Sequence, residues 1–289
     1  FDNDGHFDFL STGHGGIRLV RGDSTGRYRD VTALAKLAGG ATTAVAVVDL
    51  DNEGDLDFAF GGINKIHAWQ NRMDGRFLNI DGRVGIRNVN SAQSITPIDH
   101  DDDGDPDLLV LDREGRLRLF DNLRLSRFRE IDRGLGEEAY NGVKPLDFDN
   151  DGWLDLATLL QDGTLSVKHW AAQGYGDDVL VDRGPFEHLS VTDFDNDGWV
   201  DIAVTSGKDV VVFRNEGQGG WAKRSVGELP TGPVALGLSD IENDGDIDFV
   251  ALGKDGIVSV FENDGGNANA WLRLSLVGLQ TRGTKNNLH

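Results

Sequence analysis

The stretch Asp193-Phe194-Asp195-Asn196-Asp197-Gly198-Trp199-Val200-Asp201 decides how this chain is interpreted. It has carboxylates at its first, third, fifth and ninth positions and a glycine at its sixth. Hard cations take about six to eight oxygen ligands at about 2.3–2.6 Å, and closely spaced carboxylates on a turning loop supply them. Without a cation, four like charges in so short a segment repel one another. The stretch therefore predicts a metal-binding loop.

The same pattern occurs six times, and its last aspartates are separated by 49, 50, 48, 46 and 47 residues. A regular period of this length indicates a repeat architecture. The first copy starts inside the pattern, so its first ligand is expected just before Phe1. The predicted metal ligands are Asp2, Asp4 and Asp8; Asp49, Asp51, Glu53 and Asp57; Asp99, Asp101, Asp103 and Asp107; Asp147, Asp149, Asp151 and Asp155; Asp193, Asp195, Asp197 and Asp201; and Asp240, Glu242, Asp244 and Asp248.

The other loop positions also have predicted roles. The glycine at position six permits the positive φ that a loop folding back on an ion requires. The backbone carbonyl at position seven is expected to add a ligand, and the apolar residue at position eight is expected to anchor the loop. Position twelve holds Phe60, Val110 and Val204 rather than glutamate, which excludes an EF-hand. Position seven is His6, Asp55, Asp105, Trp153, Trp199 and Asp246; position eight is Phe7, Leu56, Pro106, Leu154, Val200 and Ile247.

Calcium is the expected ion, about one per repeat, because a carboxylate-crowded loop suits a larger and more flexible coordination shell than that of Mg²⁺. The predicted ligands are 23 of the 49 acidic residues and explain most of the net charge of −21. No basic patch neutralises phosphates, so nucleic acid is not an expected partner. The absence of cysteine excludes a disulfide scaffold and a thiolate metal site. No apolar run approaches the roughly 20 residues of a membrane helix.

Short alternating apolar runs bounded by Gly, Asn and Asp predict strands and turns around each loop. In the second repeat these runs are Thr42–Val48, Leu56–Phe60, Lys65–Gln70 and Arg76–Ile80. Four short strands in about 40–50 residues are typical of a propeller blade. The sequence therefore predicts an all-β, calcium-binding β-propeller of four-stranded blades with six visible repeats. Ala33–Leu37 is the only helix-like stretch.

The repeats resemble a known family. Strands that end at Phe60-Gly61-Gly62 and Ser206-Gly207, and others that end at Phe213-Arg214-Asn215 and Phe261-Glu262-Asn263, accompany the acidic loops as in FG-GAP/VCBS repeats of the bacterial type. That resemblance implies a calcium-stabilised β-propeller, as in the integrin α-subunit head, over residues 1–268. It also implies seven blades in the parent chain; since six repeats are visible, either one blade lies upstream or the unseen strand closes a smaller ring.

Two shorter stretches resemble the ASPIC/UnbV module of cartilage-acidic-protein-like chains. They are Tyr28-Arg29-Asp30-Val31-Thr32 and the segment from Trp271 to Gly278. Residues 269–289 are accordingly expected to form the last strand, the start of such a module, or both. The chain begins inside a metal loop, so this start is not expected to be a natural N-terminus, and the missing signal peptide carries no weight.

The remaining motifs leave alternatives open. Arg21-Gly22-Asp23-Ser24 matches an integrin-ligand motif, although a turn by itself favours Gly, Asp and Ser. Trp153 and Trp199 share one loop position and either pack against the next blade, which is the favoured interpretation, or form a sugar-stacking platform. The histidines share no metal spacing. No nucleophile-elbow, zinc-protease or phosphate-loop motif occurs, and the metal loops claim almost all paired carboxylates.

The predicted function is a non-catalytic, calcium-stabilised interaction module for a protein or glycan partner. Its expected location is extracellular, cell-surface or periplasmic, which the family resemblance and the absence of cysteine favour. One rival is a lyase-like propeller enzyme with an active site at the channel mouth. Another is a self-assembling structural subunit of a surface fibre or layer. A fold by itself does not choose among these functions.

Overall fold

The structure, a computed structural model, describes residues 1–37, 40–171, 174–217 and 220–265. Within these ranges the chain forms twenty-three strands and one helix of a single turn. None of the described residues belongs to a helix long and apolar enough to cross a membrane. The internal contacts divide the chain into two units, whose boundary falls between Asp132 and Arg133.

The first unit contains three antiparallel sheets. The first sheet holds β1 (Phe9–Gly13), β2 (Gly16–Gly22) and β3 (Tyr28–Asp30). The second holds β4 (Val45–Val48), β5 (Asp57–Gly61), β6 (Ile63–Asn71) and β7 (Phe77–Asn79), and is followed by α1 (Asp81–Val84) and by β8 (Arg87–Asn90), which pairs with β6. The third holds β9 (Ala92–Ile98), β10 (Asp107–Asp112), β11 (Leu117–Asn122) and β12 (Phe128–Ile131).

The second unit repeats this arrangement with three further antiparallel sheets. The fourth sheet holds β13 (Tyr140–Leu146), β14 (Asp155–Leu160), β15 (Thr164–Ala171) and β16 (Gly174–Arg183). The fifth holds β17 (Phe186–Thr192), β18 (Asp201–Ser206), β19 (Asp209–Asn215) and β20 (Trp221–Glu228). The sixth holds β21 (Pro233–Ser239), β22 (Asp248–Gly253) and β23 (Val258–Phe261).

Each sheet is one blade, because its strands pair with their neighbours in chain order. Six such blades with almost no helix make this an all-β, six-bladed β-propeller, as the repeat pattern predicted. The first blade has three strands, since its acidic loop precedes β1 where the other loops precede the second strand of a blade. This confirms that the first repeat lacks its opening strand in this chain.

The core lies between neighbouring sheets of each unit, because alternate side chains of a strand face opposite sides. In β5, Phe58 and Phe60 cluster with Leu19 of the first blade, whereas Ala59 clusters with Leu108 of the third. All five side chains are at most 2% exposed. The middle strands are therefore apolar on both faces, as their uninterrupted hydrophobic runs predicted.

The fifth blade shows the same division within the second unit. Ile202 and Val204 cluster with Phe148 of the fourth blade, and Ala203 clusters with Phe249 of the sixth. In β19 the four consecutive apolar side chains of Val210–Phe213 are all buried. Two-faced burial of the second and third strands holds consecutive blades of a unit together.

One prediction about local structure needs correction, and one strand was not predicted. The helix-like stretch Ala33–Leu37 forms turns, and the one short helix of the described residues is α1. Its first residue, Asp81, accepts hydrogen bonds from the Lys65 ammonium group and the Ala68 N–H, so tertiary contacts place this turn. The extra strand β8 was also not predicted. The segment 269–289, expected as a last strand or an ASPIC/UnbV-like start, lies outside the described residues.

Candidate metal centres in the acidic loops

The acidic loops connect the first and second strands of blades two to six and precede β1 in blade one. In blades two to six the ninth residue of the loop is the first residue of the second strand, as Asp57 is of β5. The loop thus begins at the end of one strand and is tied to the start of the next. This placement brings all six predicted ligand sets to equivalent positions in their blades.

The loop backbone is nearly the same in every copy. The glycine at position six has a positive φ, between 82° in Gly104 and 96° in Gly245, as predicted. The residue at position four also has a positive φ, which the sequence interpretation missed. Asparagine tolerates this left-handed region better than most residues, and it fills five of these six positions: Asn3, Asn52, Asn150, Asn196 and Asn243, with Asp102 in the third loop.

The carboxylate at position one closes the loop on itself. In the fifth loop its two oxygens accept the N–H of Asp197 at 3.0 Å and that of Gly198 at 2.8 Å. The second, third, fourth and sixth loops make the same pair of bonds. Position one therefore shapes the turn from within, besides being a predicted ligand.

The carboxylate at position nine ties the loop to its blade. Asp201 is 1% exposed, and its two oxygens accept the N–H of Phe194 at 2.9 Å and that of Asn215 at 2.7 Å. All six blades make this pair of bonds, from position two, which in blade one is the Phe1 ammonium group, and from a residue of the third strand of a complete blade, which corresponds to β2 in blade one; in blade six that residue lies two positions beyond β23. We call that third-strand residue the clamp position: Gly22, Asn71, Asn122, Trp170, Asn215 and Asn263.

Asparagine at the clamp position also reaches the preceding blade. In blade five, Asn215 Nδ2 donates to the Phe148 carbonyl oxygen at 2.7 Å and the Val200 carbonyl oxygen at 3.4 Å. The asparagines of blades two, three and six make the equivalent two bonds. Each of these amides therefore joins its own acidic loop to the loop of the blade before it.

A second amide joins loops in the forward direction. Asn52 at position four donates to the Gly104 carbonyl oxygen at 3.0 Å and to Asp105 Oδ1 at 2.6 Å. Asn196 does the same to Gly245 and Asp246 of the sixth loop. This explains the buried aspartates at position seven, which the sequence interpretation used only for their backbone carbonyls. That carbonyl ligand stays a prediction.

The predicted ligands converge in the loops. Oxygens of Asp49, Asp51 and Asp57 lie within 4.8 Å of one another in the second loop. Equivalent groups form at positions one, three and five of the third and fourth loops. In the second loop, Asp51 is 8% exposed, and its Oδ1 is buried without a hydrogen-bond partner. An orphaned carboxylate oxygen among other oxygen donors fits a hard cation such as Ca²⁺.

The electrostatics agree with a site built for a cation. Burial and the neighbouring Glu53 and Asp49 raise the pKa of Asp51, and burial beside Asp49 raises the pKa of Asp55 to about 6. Burial raises the pKa of Asp57 to about 7, even though two backbone N–H groups stabilise its charged form. Without a cation these groups therefore ionise less readily than ordinary aspartates.

The residue just before the clamp position lies beside the acidic loop. It is arginine in blades one and five and a different residue type in each of the other four blades. We call it the facing position: Arg21, Gln70, Asp121, His169, Arg214 and Glu262. Gln70 donates from Nε2 to Asp51 Oδ2, and His169 Nδ1 lies 2.9 Å from Asp155 Oδ1. The sequence interpretation assigned no role to these side chains. The only feature of the sequence that marks these side chains is their position, directly before a residue that is asparagine in four of the six blades.

The expected apolar anchor at position eight is wrong for the first loop, because Phe7 is 88% exposed. In the other five loops position eight is half-buried. In the second, fourth and fifth loops the more deeply buried anchor is position two, where Leu50 is 0%, Phe148 7% and Phe194 8% exposed, whereas Ile241 of the sixth loop is 43% exposed. The backbone N–H of position two donates to the buried aspartate of position nine, as Phe194 does to Asp201, and this bond fixes the start of the loop.

The tetrapeptide Arg21-Gly22-Asp23-Ser24 starts within β2 and is engaged internally. Arg21 forms ion pairs with Asp2 and Asp4, and the Gly22 N–H donates to Asp8. Its first two residues therefore serve the loop of blade one rather than a displayed turn.

The two tryptophans at position seven have different surroundings. Trp199 is half-buried and packs closely on Gly217. Trp153 is 43% exposed and stacks on Trp170, with 6.3 Å between ring centroids and 23° between planes. Both tryptophans therefore pack, but these contacts lie within their own blades, whereas the favoured interpretation placed them on the next blade. Trp153 also keeps an exposed ring face.

Comparisons with known proteins agree with this architecture. Among solved structures, one on specific recognition of non-reducing terminal N-acetylglucosamine by an Agrocybe aegerita lectin has a TM-score of 0.62 at 14% identity, covering 92% of this chain and 80% of that one. BBS1N in complex with ARL6DN, soaked with mercury, has a TM-score of 0.56 at 15% identity, with 90% and 77% covered. The Photorhabdus luminescens Tc holotoxin pore has 0.52 at 15% identity, with 90% and 13% covered. At such identities these similarities show the fold alone.

No curated protein matches the chain. A family model described as an FG-GAP-like repeat matches residues 1–60, 49–110, 99–158 and 193–251, which together make up more than half of the chain. Every matched range starts in one acidic loop and ends just beyond the next. The chain therefore belongs to the FG-GAP-like repeat family of β-propellers.

Proposed function

We propose that this chain is a non-catalytic, calcium-stabilised interaction module that presents its loops to a protein or glycan partner. The observation that carries the calcium role is the buried, unpartnered Oδ1 of Asp51, set among the other oxygens of its loop. Ca²⁺ would supply the positive charge that lets the clustered carboxylates ionise together. The carboxylates at positions one, three, five and nine would hold it in each loop where they converge.

Calcium would stabilise the fold because it binds the folded loops and not the unfolded chain. We expect the melting temperature to rise with Ca²⁺ concentration and to fall when a chelator is added. Calorimetry in Ca²⁺, in Mg²⁺ and in chelator tests this, and Mg²⁺ should stabilise less than Ca²⁺. An identical melting temperature in Ca²⁺ and in chelator would contradict the metal role.

The interaction role draws on the exposed loops and on the fold comparisons. Trp153 offers an exposed indole face beside the fourth loop, and aromatic faces stack on sugars and on protein side chains. Similar propellers are described as recognising N-acetylglucosamine and as forming a complex with ARL6. A glycan array with N-acetylglucosamine-terminated sugars tests the glycan arm. Binding that Trp153→Ala abolishes, and that Trp199→Phe leaves intact, would place the contact at Trp153.

The proposed location is extracellular, cell-surface or periplasmic, because millimolar calcium occurs outside cells and cysteine is absent. The bacterial VCBS type and an adjoining ASPIC/UnbV module belong to this proposal as the family context. Detection of the full-length protein in a secreted or surface fraction of its host tests it. Recovery in the cytosol alone would overturn the location.

Two rivals have their own readouts. A lyase-like enzyme requires a titratable cluster that the loops do not occupy, and turnover of polysaccharide substrates would reveal it. A structural subunit of a fibre or layer requires self-association, which sedimentation at micromolar concentration in Ca²⁺ measures. We favour the interaction module over the enzyme. The carboxylates of the acidic loops already accept hydrogen bonds from their own loop backbone, so they do not form a free acid/base pair.

A further inference from the structure

We propose that Arg21 and Arg214 are built-in counter-ions that hold the first and fifth acidic loops without a divalent cation. Cation binding is then confined to the loops of the other four blades. This inference rests on the calcium role proposed above. It replaces the expectation of about one ion per repeat with four ions, one in each blade whose facing residue is not arginine.

The fifth loop shows the counter-ion directly. A terminal guanidinium nitrogen of Arg214 lies 2.6 Å from Asp195 Oδ2 and 3.7 Å from Asp197 Oδ2. These are the carboxylates of positions three and five, two of the predicted ligands. A cation ligated by the same oxygens at about 2.3–2.6 Å would have to occupy the space of that nitrogen. The guanidinium group therefore competes with a metal ion for both charge and volume.

The first loop repeats this contact in another blade. Arg21 Nε lies 2.6 Å from Asp2 Oδ2, and a terminal nitrogen lies 3.0 Å from Asp4 Oδ2. A forked contact of one guanidinium with two carboxylates is a favourable geometry for arginine. Two blades that are distant in sequence thus use the same residue type at the same position against the same two ligands.

The other four blades place no cation at the facing position. Gln70 is neutral and donates to Asp51, and His169 hydrogen-bonds to Asp155. Asp121 and Glu262 are acidic and add negative charge beside the third and sixth loops. Arg124 pairs with Asp105 at position seven of the third loop, and Arg129 pairs with Asp121. Among the described residues, no lysine or arginine forms an ion pair with the carboxylates of positions three and five in these four loops, so a cation that neutralises them has to come from solution.

The chain contains a matched pair for testing this. The fourth and fifth loops are identical at every position except Leu154 and Val200 at position eight. They therefore offer the same predicted ligands, and both have tryptophan at position seven. Their facing residues differ, with His169 beside one loop and Arg214 beside the other. Their clamp residues also differ, with Trp170 in one blade and Asn215 in the other. Exchange of the facing residue within one loop, rather than the comparison of the two loops alone, therefore assigns a difference in cation affinity to that residue.

Tb³⁺ luminescence excited through tryptophan separates the two loops, because Trp153 and Trp199 each lie within a loop. Trp199→Phe leaves Trp153 to report on the fourth loop, and Trp153→Phe leaves Trp199 to report on the fifth. The double variant gives the background from the remaining tryptophans. Competition by Ca²⁺ then shows that Tb³⁺ occupies calcium sites.

We expect the fourth loop to bind Tb³⁺ at least tenfold more tightly than the fifth. Arg214→Gln should bring the fifth loop to the affinity of the fourth and raise the number of bound Ca²⁺ ions by one, measured by equilibrium dialysis. His169→Arg should weaken Tb³⁺ binding to the fourth loop at least tenfold. This variant alone tests the proposal if Arg214→Gln does not fold. Arg183→Gln removes an exposed charge at the opposite end of blade four and should change neither loop.

The outcomes separate the two proposals. Equal Tb³⁺ affinities in both loops, unchanged by Arg214→Gln and His169→Arg, would overturn the counter-ion and leave the calcium role intact. Sensitised luminescence in neither loop, with no bound Ca²⁺ by dialysis, would overturn the calcium role and this inference with it. Tight Tb³⁺ binding in the fourth loop alone supports both the calcium role and the counter-ion, provided that Arg214→Gln creates tight binding in the fifth loop and His169→Arg removes it from the fourth.

Discussion

Asn122 Nδ2 donates a hydrogen bond to the backbone carbonyl oxygen of Leu50, 3.1 Å away and 72 positions earlier in the chain. The same amide group donates to the Pro106 carbonyl oxygen of its own loop, also at 3.1 Å. A single buried side chain thus connects two acidic loops of the first unit. Since three other blades carry the same amide, these clamps are a repeated means of fixing one loop against the next.

Removing this clamp should destabilise the fold. Asn122→Ala leaves two backbone carbonyls buried without their donor, which we expect to cost about 1–3 kcal/mol of the free energy of unfolding. Urea denaturation measures the change. Asn90→Ala is the control, because that exposed asparagine bonds only to the exposed Glu114 and should change stability little. Equal stability of the two variants would show that the clamp contributes nothing.

The aspartate at position nine should matter even without a cation. Asp201→Asn replaces one carboxylate oxygen by an NH₂ group, which cannot accept the N–H of Phe194 or Asn215. We expect a loss of about 1.5–3 kcal/mol, in chelator as well as in Ca²⁺, measured by chemical denaturation. Asp151→Asn in the fourth loop changes an exposed ligand, so it should lower stability in Ca²⁺ only. If Asp201→Asn lowered the unfolding free energy in Ca²⁺ but not in chelator, position nine would act mainly as a metal ligand.

The buried carboxylates predict an unusual pH dependence in cation-free buffer. Asp57 and Asp201 have a pKa of about 7 in the folded state, mainly because they are buried, against about 3.9 in an unfolded chain. The folded state therefore binds protons more tightly, and stability falls as the pH rises from about 5 to 8. Ca²⁺ competes with these protons, so it should reverse or flatten the slope. Melting temperatures across this range, with and without Ca²⁺, test the sign.

Position two, rather than position eight, should be the anchor of the loop. Leu50→Ala empties a fully buried site, and we expect a loss of about 2–5 kcal/mol. Phe7→Ala removes a ring that is 88% exposed and should leave the unfolding free energy nearly unchanged. Thermal denaturation of both variants compares the two positions. A larger effect of Phe7→Ala would restore the original interpretation of position eight.

Much of the architecture was predictable from the sequence. The regular spacing of the acidic loops, the alternating runs between them and the glycine at position six are local features. They led to an all-β propeller with the strands near their observed bounds, such as Lys65–Gln70, which lies within β6. In β5 and β18 the strand starts at the last aspartate of the acidic loop, which for β5 is one residue after the predicted start at Leu56. That aspartate belongs to the ladder through its backbone, which a hydrophobic pattern does not show.

The sequence by itself determined the repeat, the six loops and the residues that can ligate a cation, because these depend on spacing within a few residues. Only the tertiary structure decided what each loop meets. Asp201 and Arg214 are 13 positions apart, yet pairing of β18 with β19 brings the third strand beside the loop of the same blade. The clamp on Leu50 depends on two blades packing together. Contacts of this kind arise from strand register and blade packing, so the stretch Asp193–Asp201 predicts a cation site, whereas the arginine beside it decides how that site is neutralised.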